Sequence, residues 1–448
     1  FMNDKEQYKK VISFASSVML FTVLTAFFGV VWYKFYSGAI VLPFYRKGNW
    51  LLIGIYMALT WLFYKIYGGN RVGYLTNSDA IYSQVISMAC VNVLTYFQIS
   101  LIGRKFMPLY PVIMLMAGDL AIIVMWTVAY SKVYKALYPP RKMVIVYGGT
   151  KLAETLVSKM SRRTDKFMIC KSVNVSKEAE KQDLLKTVLD YEGVIICDVP
   201  SHIRNDVLKV CFENSIRVYV SPKISDIIVR GATDIHLFDT PILLCRNYGL
   251  RFEQRVAKRI FDIVVSSIAF VMLSPIMLVT AVAIKICDGG SVFYKQKRLT
   301  VGGKEFYVYK FRSMIADAEK DGVARLAEAN DDRVTPVGKV IRRFRIDEFP
   351  QLINILKGEM SLVGPRPERP ELTDEYDKEM PEFKFRLKVK AGLTGYAQVM
   401  GKYDTTPYDK LKMDLMYIEK YSVLLDMKII LMTVKTMFFP NKDNSQEQ

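Results

Sequence analysis

Residues 260–286 read IFDIVVSSIAFVMLSPIMLVTAVAIKI, an apolar run of 27 residues with Ser274 and Pro275 near its centre. Positive charge flanks the run on both sides, from Lys258, Arg259, Lys285, Lys295, Lys297 and Arg298. Because Lys and Arg favour the cytoplasmic side of a membrane, both ends are predicted to face the cytoplasm. Proline removes a backbone donor and kinks a helix, so we predict a re-entrant membrane helix that breaks at Ser274-Pro275, where the serine hydroxyl satisfies a freed carbonyl. An ordinary membrane span is the alternative.

Four further apolar runs occupy the first 140 residues, at 11–33, 50–66, 80–102 and 109–130. Each approaches or exceeds the roughly 20 residues that a spanning helix needs. Nine Lys and Arg residues flank one side of these runs and five flank the other, which favours a bundle with both ends in the cytoplasm. Residues 1–140 are therefore predicted to form a four-helix transmembrane bundle.

The composition also indicates a membrane protein. Hydrophobic residues make up 51% of the 448 residues, yet the formal net charge is +18. Such a charge fits either nucleic acid or an anionic membrane surface together with phosphorylated substrates. The apolar content favours membrane lipids, and the sequence contains no recognised nucleic-acid-binding motif, so no nucleic-acid partner is predicted.

Residues 141–250 change to alternating apolar strands and helical stretches, the pattern of a Rossmann-like α/β domain with a parallel sheet. Strands are predicted at 143–147, 194–197, 217–220 and 241–245. A glycine-rich turn follows the first strand, but Thr150 and Ala153 stand where the dinucleotide-binding fingerprint has its second and third glycines. A regulatory or assembly role is therefore preferred over nucleotide binding.

Residues 251–448 form the third predicted domain, and they hold the candidate chemistry. An acidic pair, Asp347-Glu348, follows three arginines, and Pro350 indicates a helix that begins at about Asp347. Asp347 is then either a simple N-cap or a carboxylate that stays ionised at a helix N-terminus, where phosphates bind. An ionised carboxylate can act as a covalent nucleophile at phosphorus, and the adjacent Glu348 can bind Mg²⁺.

Basic and rigid residues supply the rest of a predicted phosphate-binding site, because phosphoryl transfer depends on positioning and on neutralising oxygen charge. The substrate-binding candidates are Lys310, Arg312, Arg345, Pro365, Arg366 and Pro367. Arg342 and Arg343 fit phosphate and lipid headgroups equally well. Two prolines fix the backbone around Arg366, which is more typical of a binding loop than of a plain turn. Taken alone, the Gly-Leu-Thr-Gly sequence at 392–395 is only a weak turn signal.

The C-terminal part of the chain carries no further motif. Residues 413–439 mix apolar, aromatic and charged side chains, so helices that lie in the membrane interface are predicted there. The polar tail after Pro440 is predicted to be disordered.

These motifs, in this order, resemble the bacterial sugar transferase family, the monotopic polyprenyl-phosphate phosphoglycosyl transferases. The matching pieces are Lys-Arg-Ile-Phe-Asp at 258–262, Ser-Pro at 274–275, Asp-Glu at 347–348, Gly-Pro-Arg-Pro at 364–367, and 392–399. The whole chain is similar to the large subgroup, which adds four N-terminal spans and a Rossmann-like domain. The resemblance implies a mainly α-helical monotopic transferase domain with a re-entrant helix. One departure is Lys390-Ala391, where many relatives carry Arg-Pro; it affects one loop contact rather than the activity.

The resemblance implies an enzyme of a bacterial inner (plasma) membrane with its active site facing the cytoplasm. Asp347 would attack the β-phosphate of a UDP-sugar, UMP would leave, and undecaprenyl phosphate would then take the sugar-1-phosphate from the aspartate. Glu348 would bind Mg²⁺, and the Pro-Arg-Pro sequence at 365–367 would help to hold the uridine end. The reaction would begin polysaccharide or glycoconjugate assembly, and a homodimer is expected. The identity of the sugar does not follow from these motifs.

Two other functions share some of these features. A membrane-anchored nucleotide-sugar dehydratase also joins four spans to a Rossmann domain, but it needs an intact glycine fingerprint and a Tyr-x-x-x-Lys pair. Tyr408 and Lys412 are the candidates for that pair, and they lie far from the glycine-rich turn in sequence. A catalytically inactive scaffold of polysaccharide assembly is the non-enzyme alternative. The presence of Asp347, Glu348 and Arg366 weighs against it.

Overall fold

The computed structural model describes most of the chain, in two parts. The described residues are 7–40, 43–44, 47–70, 73, 75–148, 151–161, 163–164, 166–176, 183–237, 239–245, 249–315, 333–401 and 405–438. Two predicted features, the Gly149-Thr150 turn and the disordered tail after Pro440, lie outside these residues. The chain divides into two compact units, Phe1–Lys223 and Ile224–Gln448.

Long apolar helices begin the first unit, and each of the four predicted apolar runs falls largely within one of them. They are α1 (Lys9–Val31, continued by a π-helical turn, Trp32–Tyr36), α2 (Lys47–Tyr67), α3 (Asn77–Ile102) and α4 (Tyr110–Leu137). Thr76 caps α3 by accepting a hydrogen bond from the Asp79 amide at 3.2 Å, and Pro111 lies in the first turn of α4. By length and composition these helices can cross a membrane, so the chain is a membrane protein.

Polar side chains join these helices to one another. Asn92 of α3 donates to Asp119 of α4 at 2.8 Å and accepts a hydrogen bond from Tyr56 of α2 at 2.9 Å. Trp32, directly after α1, donates to Asn49 of α2 at 2.9 Å. Polar groups among apolar helices are costly without partners, so these bonds specify which helix faces meet.

A parallel sheet completes the first unit, as the sequence predicts. Its strands are β1 (Arg141–Tyr147), β2 (Phe167–Asn174), β3 (Gly193–Cys197) and β4 (Arg217–Val220), in the order β2-β1-β3-β4. The intervening helices are α5 (Lys151–Ser161), α6 (Leu184–Leu189) and α7 (Ser201–Glu213). Val144, Val146, Val194 and Ile196 are fully buried, which is why the central strands read as continuous apolar runs.

The second unit opens with a helix and a hairpin rather than with another parallel strand. Helix α8 (Ile224–Arg230) precedes the antiparallel strands β5 (Thr233–Leu237) and β6 (Thr240–Leu244). The strand predicted at 241–245 therefore does not join the parallel sheet. Two residues separate β5 from β6, which permits only an antiparallel pair, because a parallel crossover needs a dozen or more residues. The predicted domain boundary near residue 250 stays a prediction.

The apolar run at 260–286 lies in one long helix, α9 (Phe252–Asp288), which continues through Pro275, so the predicted break at Ser274-Pro275 is not present. Pro275 has no amide hydrogen for the carbonyl of Val271, four residues earlier. The Ser274 hydroxyl donates to that same carbonyl at 2.8 Å, which confirms the predicted role of the serine. The large apolar side chains beside this point, Met272 and Leu278 among them, are exposed on the protein surface.

Helix α9 is fixed to the rest of the unit along its length. Near its start, Asp262 is buried and accepts hydrogen bonds from the Ser361 hydroxyl at 3.0 Å and the Leu362 amide at 3.1 Å. Lys258 forms a buried ion pair with Asp426 at 2.6 Å. Further along, Ile284 packs in a cluster of buried apolar residues that includes Phe311, Ile341 and Met277.

Short elements form the remainder of the second unit around one core. They are β7 (Phe293–Leu299), β8 (Glu305–Phe311), α10 (Pro336–Arg343), α11 (Gln351–Lys357), β9 (Ser361–Val363), α12 (Pro370–Glu379), β10 (Gly392–Thr394), α13 (Tyr396–Met400), α14 (Pro407–Glu419) and α15 (Val423–Phe438). Strands β7 and β8 are antiparallel, whereas β9 and β10 are parallel. Val308, Ile355, Met360 and Val363 lie in the core. The region predicted as interfacial is helical, and Leu424 of α15 is 76% exposed.

Candidate active site

The acidic pair lies in a separate 3-10 turn between two α-helices. Helix α10 ends at Arg343, the turn covers Ile346–Glu348, and α11 begins at Gln351 with Pro350 as its N-cap. The expectation that the α-helix begins at Asp347 is therefore wrong. The Phe349 amide donates to the Ile346 carbonyl at 3.1 Å, which closes the turn before α11 starts.

Arg345 makes this turn possible through an uncommon backbone conformation. Its φ of 55° and ψ of 24° place it in the left-handed region, which costs a residue with a Cβ roughly 1–2 kcal/mol. The chain thereby changes direction between α10 and the acidic pair. Strain of this kind is typical of functional sites.

Of the two carboxylates, Glu348 is the one with basic side chains as direct neighbours. Its Oε1 atom lies 3.3 Å from Arg366 Nη2 and 4.0 Å from Lys310 Nζ. Burial raises the pKa of Glu348, but the positive charges of Arg366, Lys310 and Arg345 outweigh that effect, so the pKa is lowered overall. Glu348 is therefore ionised at neutral pH.

Asp347 shows the opposite shift. Burial raises its pKa to about 6, the charge of Glu348 adds to the increase, and Lys310 and Arg342 oppose it. The sequence predicted an aspartate whose ionisation the arginines favour, whereas in the structure desolvation has the larger effect. Since about 6 is still below 7, most molecules carry an ionised Asp347 at neutral pH.

Lys310 reaches the pair because a buried asparagine holds its strand. Asn354 of α11 donates to the Tyr307 carbonyl at 2.7 Å and accepts from the Tyr309 amide at 3.0 Å, so it binds β8 on both sides of one residue. Lys310 follows directly along the strand. Burial lowers the pKa of Lys310, and the negative charge of Glu348 partly offsets this effect.

The Pro-Arg-Pro loop follows β9 in the chain and lies next to the acidic pair. The Gly364 amide donates to the Thr394 carbonyl, and the Gly392 amide donates to the Pro365 carbonyl, each at 2.9 Å. A Cβ on Gly364, Gly392 or Gly395 would collide with backbone atoms of the facing strand. The glycines of 392–395 thus permit their backbone to approach the backbone at Gly364 closely. This role is more specific than that of a plain turn.

The departure at Lys390-Ala391 has a local explanation. The Ala391 amide donates to the Thr300 hydroxyl at 3.3 Å, and its carbonyl accepts from the Ser361 amide at 2.8 Å. A proline at this position lacks the amide hydrogen. The alanine therefore makes one hydrogen bond that a proline cannot.

The other predicted site residues lie in different surroundings. The Arg312 guanidinium fills the space over Gly290, where a Cβ would collide with it, near the end of α9. Arg345 is exposed, and its charge acts on Glu348. Ser274 and Pro275 lie within α9. The structure thus brings Lys310 and Arg366 to the acidic pair, and the substrate-binding role of Arg312 stays a prediction.

Sequence reasoning assigned no structural role to the buried polar residues that hold these segments. Asn354 interrupts the apolar sequence of α11, and Asp262 interrupts that of α9. A polar residue inside an apolar stretch needs a buried partner, and this signal would have indicated both.

The acidic pair can also be compared with what a magnesium site requires. Among the described residues, no group of three or more His, Cys, Asp or Glu side chains is assembled as a metal site. Mg²⁺ commonly uses one or two protein carboxylates and takes its other oxygen ligands from water and substrate phosphates. Adjacent carboxylates that face basic residues fit this kind of site.

Comparison with known proteins finds similarity in the part of the chain that contains this site. The profile described as bacterial sugar transferase matches residues 253–440. The exopolysaccharide production protein ExoY of Rhizobium meliloti is 36% identical over 193 residues, which are 40% of this chain and 84% of ExoY. This chain belongs to the bacterial sugar transferase family. The shared region begins in α9 and contains the acidic pair, Lys310 and the Pro-Arg-Pro loop.

Two longer transferases are also similar. A UDP-N-acetylgalactosamine-undecaprenyl-phosphate N-acetylgalactosaminephosphotransferase of Aeromonas hydrophila is 45% identical over 183 residues, 40% of this chain and 43% of that protein. A UDP-glucose:undecaprenyl-phosphate glucose-1-phosphate transferase of Klebsiella pneumoniae is 40% identical over 211 residues, 46% of this chain and 43% of that protein. The chain thus spans less than half the length of these two relatives.

The strained turn leads to a stability prediction. Arg345→Gly is expected to increase the free energy of unfolding by about 0.5–1 kcal/mol, because glycine adopts the left-handed conformation without a Cβ penalty. Lys339→Gly, at an exposed position inside α10, is the matched control and should decrease it by a similar amount. Thermal unfolding of the full-length protein in detergent measures both variants. Equal destabilisation by the two would contradict the strain at Arg345.

Proposed function

We propose that this protein transfers a sugar-1-phosphate from a UDP-sugar to undecaprenyl phosphate and releases UMP. The reaction would be the first membrane step of polysaccharide or glycoconjugate assembly. The observation that carries the proposal is the placement of Asp347 and Glu348 on one turn, with Lys310 and Arg366 beside Glu348. The names of the Aeromonas and Klebsiella relatives describe this type of transfer with two different sugars.

In the first half-reaction, an Asp347 carboxylate oxygen attacks the β-phosphorus of the UDP-sugar. The bond between that phosphorus and the bridging oxygen breaks, and UMP leaves with the oxygen and the electron pair. The sugar-phosphate is then bound covalently to Asp347 as an acyl phosphate. A carboxylate with a pKa of about 6 is ionised at neutral pH and requires no general base for this step.

In the second half-reaction, a phosphate oxygen of undecaprenyl phosphate attacks the same phosphorus. The bond to Asp347 breaks, the aspartate leaves as a carboxylate, and the sugar-diphosphate lipid is formed. Lys310 and Arg366 neutralise charge on the phosphate oxygens in both steps, which is the main form of catalysis in phosphoryl transfer. Pro365 and Pro367 hold the backbone that presents Arg366, near the uridine end.

Glu348 is the proposed protein ligand of Mg²⁺, because it is ionised and lies beside the nucleophile. Mg²⁺ bound there would neutralise diphosphate charge and favour departure of UMP. Ion pairs with Arg366 and Lys310 fix the orientation of the Glu348 carboxylate at the proposed Mg²⁺ position.

The proposed reaction requires a cytoplasmic active site, because UDP-sugars are cytoplasmic. Four spans, α1 to α4, would place Arg141 in the cytoplasm of a bacterial inner membrane, and a complete fifth span would carry Asp347 to the opposite side. We therefore propose that α9 is re-entrant. Its Asp262 bonds to β9 and its Ile284 packs with Phe311, so both parts of the helix contact one domain. A homodimer is also proposed.

The first prediction from the proposed function concerns the nucleophile. Asp347→Asn should reduce UMP release by several orders of magnitude, because an amide does not form the acyl phosphate. Wild-type protein given UDP-glucose or UDP-N-acetylgalactosamine without lipid should gain the mass of one sugar-phosphate on Asp347. Asp374→Asn, an exposed position on α12, is the control and should behave as wild type. Sequential kinetics with no adduct on quenched wild-type protein would show that the covalent mechanism is wrong.

The second prediction concerns the metal. EDTA should abolish UMP release, and Glu348→Gln should increase the Mg²⁺ concentration needed for half-maximal rate, because a neutral amide oxygen binds a hard cation more weakly. Glu371→Gln, an exposed change on α12, should leave that concentration unchanged. Full activity in EDTA would show that the reaction does not require Mg²⁺.

The third prediction concerns topology and uses cysteine labelling from outside intact cells, in a background that lacks the native cysteines. Lys384→Cys, at an exposed position of the transferase domain, should remain unlabelled, whereas Lys105→Cys, between α3 and α4, should be labelled. Pro275→Leu restores the amide hydrogen for the Val271 carbonyl and should expose a fraction of Lys384→Cys to the reagent. Labelling of Lys384→Cys without the Pro275 change would exclude the re-entrant helix.

A further inference from the structure

The Pro-Arg-Pro loop is held by donors from other segments. Pro365 and Pro367 have no amide hydrogen, so the loop cannot join a regular backbone ladder through these residues. Four consecutive carbonyls nevertheless accept hydrogen bonds. The donors to carbonyls 365, 366, 367 and 368 are, in that order, the Gly392 amide at 2.9 Å, Arg386 Nη2 at 3.0 Å, Arg298 Nη1 at 3.1 Å and the Leu299 amide at 3.1 Å.

Two of these donors are arginine side chains, and both are themselves fixed. Glu368 lies between them, with its Oε1 atom 3.5 Å from Arg386 Nη1 and its Oε2 atom 3.9 Å from Arg298 Nη1. Arg386 also pairs with the buried Asp414 at 2.9 Å and lies over the Phe383 ring at 4.8 Å. A guanidinium group suits this task because it presents several donors in one rigid plane.

The burial of the arginines distinguishes their role from that of Arg366. The side chain of Arg386 is 6% exposed and that of Arg298 is 16% exposed, whereas that of Arg366 is 46% exposed. Arg366 can therefore meet a substrate directly, while the buried Arg386 and the mostly buried Arg298 bind the backbone of the loop. Arg386 donates a hydrogen bond to the backbone carbonyl of Arg366 itself.

We propose that Arg298 and Arg386 are positioning residues that hold the Pro-Arg-Pro loop so that Arg366 faces Glu348 and the nucleotide. The proposal rests on the proposed function. Arg366 lies 3.3 Å from Glu348, and displacement of a catalytic group by about 1 Å can cost a large part of the rate. The alternative is a purely structural ion network that stabilises the fold without affecting the nucleotide site.

The test replaces arginine by lysine, which keeps the charge but not the planar set of donors. UMP binding to full-length protein in detergent with Mg²⁺ is measured by equilibrium dialysis. Arg298→Lys and Arg386→Lys should each weaken UMP binding by about tenfold, the effect expected for loss of a charged hydrogen bond. Lys297→Gln is the matched control, because Lys297 is the neighbour of Arg298 on β7 but pairs with Glu305 at the surface, and it should bind UMP as wild type does.

Kinetics separate positioning from general destabilisation. Loss of nucleotide positioning should raise KM for the UDP-sugar as well as lower kcat, whereas general destabilisation reduces the amount of active protein, and so the apparent kcat, with KM unchanged. A second measurement uses the Arg366→Ala background, in which a residue that acts through Arg366 should have little further effect on UMP binding. If Arg298→Lys and Arg386→Lys still weaken binding by about tenfold in that background, the proposed coupling to Arg366 is wrong.

The outcomes distinguish this proposal from the proposed function. Wild-type protein that neither binds UMP nor releases it from a UDP-sugar would contradict the function itself. Wild-type protein that does both, with Arg298→Lys and Arg386→Lys indistinguishable from Lys297→Gln, would leave the function intact and overturn the positioning role. The two lysine variants are independent, so failure of one to fold leaves the other as a complete test.

Discussion

The buried carboxylate of Asp262 is the contact on which the arrangement of the transferase unit depends. It joins the apolar helix α9 to strand β9 through the Ser361 hydroxyl and the Leu362 amide. The Pro-Arg-Pro loop begins directly after β9. Only a few residues of the chain therefore separate Arg366 from the point at which β9 is bonded to α9. A carboxylate is costly to bury without such donors, and the contact with β9 therefore stabilises the position of α9.

Polar contacts of two further residues, Arg259 and Asn354, fix helix α11, which follows the acidic turn. Arg259 of α9 donates to the Ile355 and Leu356 carbonyls at the end of α11, at 2.6 and 2.7 Å, while Asn354 of the same helix binds the backbone of β8. A cation at a helix C-terminus satisfies carbonyls that have no partner within the helix. Helix α11 is thus tied to α9 at one end and carries the acidic turn at the other.

The sequence was sufficient for the apolar helices and the parallel sheet, because hydrophobic periodicity and flanking charges indicate such elements. It also singled out the acidic pair, whose proposed roles stay predictions. It was insufficient for the hairpin at Thr233–Leu244, the 3-10 turn and the left-handed Arg345. It also assigned no role at the site to Arg298 and Arg386, whose partners are backbone carbonyls about 70 and 20 residues away in sequence. Side chain to carbonyl contacts across such distances leave no periodic signal, since a carbonyl is present on every residue.

The two neighbouring carboxylates differ because their surroundings differ. Glu348 lies against Arg366 and Lys310, and its pKa is lowered, whereas Asp347 has a pKa of about 6 because burial and the charge of Glu348 both raise it. A carboxylate that is anionic but poorly solvated is a stronger nucleophile than one held by several cations, and a firmly anionic one is the better ligand for a cation. Separation of the pKa values of adjacent groups is how one site supports two chemical roles. The positions of Lys310 and Arg366, which Asn354 and, in our proposal, Arg298 and Arg386 set, therefore decide which carboxylate takes which of the two proposed roles.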